Sequence, residues 1–321
     1  MLRYKTKLTV VSAAAILLGA FLSTAAETWR LEKDKDQWKQ LSVSTDRNDN
    51  YLLAVAKVKQ MVYTGKADAA AKAMEQLKKD FPEITGADLD AFIKAESYYS
   101  QCKYKKAVTE YDRFLETYPD SELYEAALDR EFAIATAFLN GEKIPVLGVF
   151  RIKGYEEGGK IMERINDRAG DRPVGEKAML AIAESYEKRG KFNEAYLQWS
   201  QISSQWPTGR LGKQSLLSMA RCKHAAYRGP AYDSSSLISA KSYYEDFMLR
   251  YPQEASQYQI DNKIDQITEQ MAYKNFKIGK YYQQTGSKNA ADFYYRLVVD
   301  KWPDSTAAKM AAKQISGEEK T

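Results

Sequence analysis

Apolar residues return at fixed distances from a proline five times along this chain. The prolines are Pro82, Pro119, Pro207, Pro252 and Pro303, and each follows an aromatic residue: Phe81, Tyr118, Trp206, Tyr251 and Trp302. Twelve positions before each proline stands an alanine: Ala70, Ala107, Ala195, Ala240 and Ala291. Eight before it is a large side chain (Met74, Tyr111, Trp199, Tyr244, Tyr295), and five before it another apolar one (Leu77, Phe114, Ile202, Phe247, Val298). These slots recur every three or four residues, which places them on one face of a helix. The alanine marks where a neighbouring helix comes closest. The proline ends the helix, because it lacks the donor N–H and biases the preceding residue out of helical geometry.

A second, earlier helix has its own pattern. Five residues before the alanine comes a turn residue, Gly65, Cys102, Gly190 or Gly286; in the fourth unit Gly229 fills this part, with extra residues inserted near Pro230 to Ser235. Upstream of each turn is a compact residue (Val58, Ala95, Ala183, Cys222, Gly279), and three further on Met61, Tyr98, Tyr186, Ala225 or Tyr282. Each unit is thus an antiparallel helix pair that buries its apolar face against its neighbours, as in a repeat solenoid. The spacings resemble the tetratricopeptide repeat, whose unit is 34 residues long, the interval from Pro173 to Pro207.

The expected fold is an all-α tetratricopeptide-repeat superhelix, an α-solenoid over residues 50–315. Five clear repeats span 50–82, 89–119, 174–207, 211–252 and 262–303, and a degenerate one spans 122–173. In the degenerate repeat, Glu125 to Leu139 reads as the first helix and Gly159 to Asp167 as a weak second one. Between them lies an insertion, Gly141 to Gly158, with the apolar run Ile144 to Phe150. Residues 316–321 form a charged tail.

Residues 1–26 read as a secretory signal: basic Arg3, Lys5 and Lys7, an apolar run from Leu8 to Leu22, and small residues at Ser23 to Ala26. No cysteine stands near residue 26 to carry a lipid. The leader accounts for most of the net charge of +5; without it, 45 basic residues face 43 acidic ones, too even a balance for a nucleic-acid footprint. In the extension 27–49, Trp29 and Trp38 flank a charged stretch that suits a small hairpin or a docking strand.

The most specific stretch runs from Met271-Ala272-Tyr273-Lys274-Asn275-Phe276 through Lys280-Tyr281-Tyr282 and Tyr294-Tyr295-Arg296 to Trp302-Pro303-Asp304-Ser305. With an export signal ahead of about five repeats, it resembles the final repeat of the BamD-like family of outer-membrane protein assembly factors. The resemblance implies a periplasmic scaffold, peripheral to the outer membrane, that helps insert β-barrel proteins. Its partners would be the barrel-forming assembly subunit, at the late repeats, and unfolded outer-membrane proteins, at the early ones. Membrane association is expected only through those partners. The alternative is a general periplasmic adaptor for cell-wall or division machinery. An enzyme would need a catalytic domain for which no stretch is left.

The chemistry-bearing residues agree with a non-enzymatic, cofactor-free reading. One histidine, His224, and two cysteines, Cys102 and Cys222, in non-neighbouring repeats do not make a four-ligand zinc site or a disulfide. Gly154, Gly158 and Gly159 lack the strand and the Gly-Lys-Ser/Thr ending of a phosphate loop. Function is expected at the surface. Projection of the first helix of four repeats puts Val55, Lys59 and Val62, then Phe92, Glu96 and Tyr99, then Leu180, Glu184 and Glu187, and last Phe276, Lys280 and Gln283 on the concave side, as candidate protein-binding residues; for Phe92 and Phe276 the alternative is packing against the next repeat.

Overall fold

The computed structural model describes residues 28–32, 37–41, 47–64, 66–82, 86–146, 150–170 and 172–317. The expected signal at 1–26 and the turn residue Gly65 lie outside them. In chain order the elements are β1 (Thr28–Glu32), β2 (Gln37–Leu41), α1 (Arg47–Tyr63), α2 (Ala67–Asp80), α3 (Ala87–Ser100), α4 (Tyr104–Thr117) and α5 (Tyr124–Leu139). Then follow β3 (Lys143–Val146), β4 (Phe150–Lys153), α6 (Tyr155–Ala169), α7 (Pro173–Lys188), α8 (Phe192–Gln205) and α9 (Gly209–Ala225). The last are α10 (Ser235–Arg250), α11 (Pro252–Gln257), α12 (Ile260–Gln284), α13 (Lys288–Lys301) and α14 (Thr306–Ser316). The architecture is an all-α repeat solenoid. Two compact units divide the chain at residues 130 and 131, within α5.

The proline-anchored slots form the core. The five alanines are 0–4% exposed, and Met74, Tyr111, Trp199, Tyr244 and Tyr295 are no more than 3% exposed. In the first unit, Phe92 meets Tyr111 and Phe114 edge to face, with ring centroids 5.8 and 5.5 Å apart, a favoured aromatic geometry. In the second, one cluster gathers Ala183, Ala195, Trp199, Ile202 and Cys222, a second Leu216, Ala240, Tyr244 and Phe247, and a third Phe276, Ala291, Tyr295 and Val298.

Helix termination repeats as closely as the core does. Phe81, Tyr118, Trp206, Tyr251 and Trp302 all leave helical geometry with φ between −127° and −136°. Each donates its N–H to the carbonyl four residues back, at Leu77, Phe114, Ile202, Phe247 and Val298. A following proline disfavours helical backbone at the residue before it, which accounts for the shared exit. The described turn slots all have positive φ: +70° at Gly190, +82° at Gly286 and +113° at Gly229, and Cys102 adopts +54° where its counterparts are glycine.

The structure corrects the degenerate repeat. The insertion expected at 141–158 is an antiparallel hairpin, with Ile144 opposite Ile152, and helix α6 already starts at Tyr155, four residues before the expected Gly159. Gly158 is a close-packing residue rather than a loop residue: a Cβ there would lie 2.9 Å from the Ala135 carbonyl. Pro173 opens α7 instead of closing a helix, since a first-turn proline has no helical bond to lose. Pro252 likewise opens the short α11. At the N-terminus β1 and β2 pair as an antiparallel hairpin, Thr28 opposite Leu41. Helix α14 lies in a stretch read only as the end of the solenoid; Ser305 caps it by accepting the Ala308 N–H at 3.0 Å.

Candidate functional site

Five of the residues projected onto a binding face are buried, and this corrects their expected exposure. Val55, Val62, Phe92, Glu96 and Phe276 are 0–7% exposed. The first helix of a repeat packs on more than one neighbour, so the face that looks free when one helix pair is considered alone is covered. Phe276 packs against Tyr295 at 5.6 Å and Tyr273 at 6.2 Å. Lys59, Tyr99, Lys280 and Gln283 keep solvent access. Lys59 sits 3.9 Å from Glu122, and Gln283 accepts from the Tyr295 hydroxyl while donating to Gln314, both at 2.9 Å.

Glu96 is the centre of a buried polar lock in the first unit. Arg130 grips it with two bonds, Nε to Oε1 at 2.7 Å and Nη2 to Oε2 at 3.0 Å. The Tyr111 hydroxyl also donates to Oε1, and the Arg130 guanidinium lies 4.2 Å over the Tyr99 ring. Burial opposes the arginine charge, but the Glu96 bonds and charge outweigh it and hold the Arg130 pKa above its ordinary value. Burial, then the Glu96 charge, pushes the Tyr111 phenol well up. The lock holds structure rather than a ligand.

Glu187, in the second unit, lies at a wetter junction. It accepts from Trp199 Nε1 and Cys222 Sγ, each at 3.1 Å, and from Arg221 Nη2 at 3.3 Å. The Cys222 thiol is held well above its usual range, by burial first and then by the Glu187 bond. Both cysteines are free, Cys102 exposed and Cys222 buried. Glu96 to Arg130, Glu176 to Arg210 and Glu187 to Arg221 are all separated by 34 residues. That is one repeat length, so each pair ties a helix to its equivalent in the next repeat.

A concavity of the second unit lies beside this junction. Helix α9 is largely buried along Leu211, Ser215, Leu216, Met219, Ala220 and Cys222. It shows solvent a stripe at helical spacing: Arg210, Lys213, Gln214, Leu217 and Arg221. With Ser218, Tyr244, Tyr258, Ile260 and Lys263, these line a groove of about 510 Å³. Its floor is apolar, from Leu217, Tyr244 and Ile260. Its rim carries four cations: Arg210, Lys213, Arg221 and Lys263. Glu176 pairs with Arg210, Glu254 with Lys213 and Glu187 with Arg221. The Glu254 hydrogen bond raises the Lys213 pKa, and the same bond lowers that of Glu254. Burial lifts Tyr244 to about 12, so the floor stays neutral.

An apolar floor within exposed, screened ion pairs suits a peptide that brings apolar anchors and its own carboxylates. Sequence reasoning nominated no residue here, because the insertion after Gly229 blurs the fourth repeat. The signal was present in Arg210, Lys213, Leu217 and Arg221, which recur at three- and four-residue steps beside a face of apolar and small residues. His224 lies close by, its Nε2 3.1 Å from Gln270 Oε1 and its ring edge-on to Tyr244. Among the described residues no group of three or more histidine, cysteine or acidic side chains is placed to hold a metal.

A family model described as YfiO, outer membrane lipoprotein, matches residues 153–318, and a tetratricopeptide-repeat model matches residues 91–121. Among solved structures, the C-terminal part of a tetratricopeptide-repeat protein from Cytophaga hutchinsonii is 17% identical. The match covers 81% of this chain and 87% of that one, with a TM-score of 0.40. PilW, described as a widely conserved type IV pilus biogenesis factor, is 15% identical over 84% of this chain and 100% of its own, with a TM-score of 0.31. Both scores are too low to support a comparison of sites. No curated protein gives a significant match.

Proposed function

Since the chain belongs to the YfiO family of outer membrane lipoproteins, we propose that it is a non-enzymatic protein-binding scaffold of outer-membrane β-barrel assembly. In this reading it works on the periplasmic face of the outer membrane. Its late repeats dock the periplasmic domains of the barrel-forming subunit, and its early repeats meet unfolded outer-membrane proteins. The observation that carries the reading is the family match itself, whose span, 153–318, includes every residue of the α9 groove. The described residues contain no helix long and apolar enough to cross a membrane.

The test is capture of the barrel-forming subunit's periplasmic domains by the purified chain. Reversing Arg210 and Arg221 to glutamate should weaken capture about tenfold, because attraction for the ligand's carboxylates becomes like-charge repulsion, with the helical circular-dichroism signal unchanged. The swap Arg221→Glu with Glu187→Arg keeps the internal pair, so it separates loss of a partner contact from loss of that tie. Full capture by folded charge-reversed protein would remove the groove as the docking surface. If cross-linking in cells finds no barrel protein attached to the chain, the assembly role itself fails.

A further inference from the structure

Positive charge is concentrated at one end of the second unit. Residues 270–317 carry eight lysines and arginines against three aspartates, and from Gln270 to Ala291 there is no carboxylate at all. Lys277, Lys280 and Lys288 in this stretch are exposed. Unlike Arg210, Lys213 and Arg221 of the groove, they have no carboxylate within ion-pair distance among the described residues. Lys274 is turned inward, onto the carbonyls of Pro230 and Tyr232. Asp292 is neutralised by Arg296 at 2.8 Å.

Among these lysines lies a continuous band of aromatic rings where α12 meets α13. Tyr282 stacks on Tyr294 with centroids 5.7 Å apart and planes 15° apart. Tyr281 packs edge-on to Tyr282 at 5.6 Å, and Phe293 edge-on to Tyr294 at 5.4 Å. The outer rings, Tyr281 and Phe293, are each 61% exposed. The inner pair is half-buried and fixes them in place. Exposed aromatics held rigidly beside unpaired lysines are what the interfacial zone of a bilayer accommodates. The rings sit at the depth of the headgroups, and the ammonium groups meet lipid phosphates.

We propose that the last repeat, through Tyr281, Phe293, Lys277, Lys280 and Lys288, seats the protein directly on an anionic phospholipid surface. Membrane contact then does not depend on protein partners alone, as the sequence led one to expect. An acidic protein surface is the competing occupant. The lipid is favoured because the outer rings stand out from the surface in a stretch that has no carboxylate from Gln270 to Ala291. The inference rests on the proposed outer-membrane role only for its choice of lipid.

The experiment is co-sedimentation of the full chain with vesicles of phosphatidylethanolamine and phosphatidylglycerol, 3:1, and with phosphatidylcholine vesicles, at low and high salt. Wild type should favour the anionic vesicles several-fold and lose that preference at high salt. Lys277→Glu with Lys288→Glu should cut anionic binding about tenfold. Tyr281→Ser with Phe293→Ser, both at exposed positions, should cut it to a similar degree. All variants share the same N-terminus, so any anchor there contributes equally to each. Capture of the barrel-forming subunit by the same folded variants is expected to be unchanged, which keeps this test separate from that of the groove. Anionic binding that none of these substitutions alters would overturn the proposal. So would capture that falls while vesicle binding holds, which would make the band a protein interface.

Discussion

Two glutamate–arginine pairs in this protein have the same sequence separation and opposite surroundings. In the first unit, Glu96 and Arg130 are sealed, with side chains 0% and 3% exposed. In the second, Glu187 and Arg221 meet near the surface, with side chains 22% and 53% exposed. The one-repeat spacing gives both the same geometric task, tying a helix to the next in the stack. Burial decides what else each can do. The sealed pair is further covered by the Tyr111 hydroxyl, which donates to Glu96, and by the Tyr99 ring over Arg130, and a partner cannot reach it. The open pair borders a groove, where a ligand carboxylate can compete for the arginine at little cost. The first unit is therefore locked where the second is adaptable.

The sealed pair should give the largest response. Glu96→Ala leaves Arg130 buried and uncompensated, and should cost about 3–5 kcal/mol in chemical denaturation, with the loss centred on the first unit. Replacing both partners, Glu96→Leu with Arg130→Met, should recover most of that loss, because an apolar pair of similar volume removes the buried charge. A double variant as unstable as the single one would show that Glu96 acts through Tyr111 rather than through its ion pair.

The two units also differ at the turn slot, where the effect is intermediate. Gly190→Ala forces a Cβ into a left-handed turn and should cost about 1 kcal/mol. Cys102→Gly should act in the opposite direction by a smaller amount, because relief of its +54° backbone is partly offset by the entropy of glycine. Thermal melts of the two variants should shift to opposite sides of wild type.

Arg221→Ala should change stability by less than about 1 kcal/mol, and by less still in high salt, as exposed pairs do. A larger, salt-independent loss would mean that the Glu187 junction is a lock like the one at Glu96.

The smallest effect belongs to His224. Burial lowers its pKa, although the Gln270 bond works the other way, so the unfolded chain takes up a proton more readily than the folded one. The sign follows from that: stability is complete above the ordinary histidine pKa and declines as pH falls through it toward the lowered folded value. Between pH 7.5 and 5.5, wild type should therefore lose stability relative to His224→Gln. Parallel denaturation curves at the two pH values would contradict the assignment.

Most of the fold was legible because five prolines and five alanines keep one phase, and local rules fix where each helix pair starts and stops. The hairpin at 143–153 and helix α6 were read less well. There the apolar run and three glycines look like a loop until the packing of Gly158 on Ala135 is known. The candidate site was the least legible part. A helical projection shows which residues share a face but not which neighbour covers that face, so Phe92, Glu96 and Phe276 were projected outward although the stack encloses them. The groove residues on α9 needed the opposite inference, that a helix with one face buried in the core leaves a stripe on the other for a ligand.

The shared helix ending has a consequence for how such a chain can change over generations. Because five of the second helices stop at the same phase with the same backbone bond, the register of each is set from its own stop and not from the length of chain ahead of it. The chain carries two additions, the residues after Gly229 and the hairpin after Leu139, each between the first and the second helix of a repeat, while the repeats on either side keep their slots. The turn inside a repeat can therefore lengthen without displacing the slots of its neighbours. New binding segments can be added at these joints while the older surfaces remain in place.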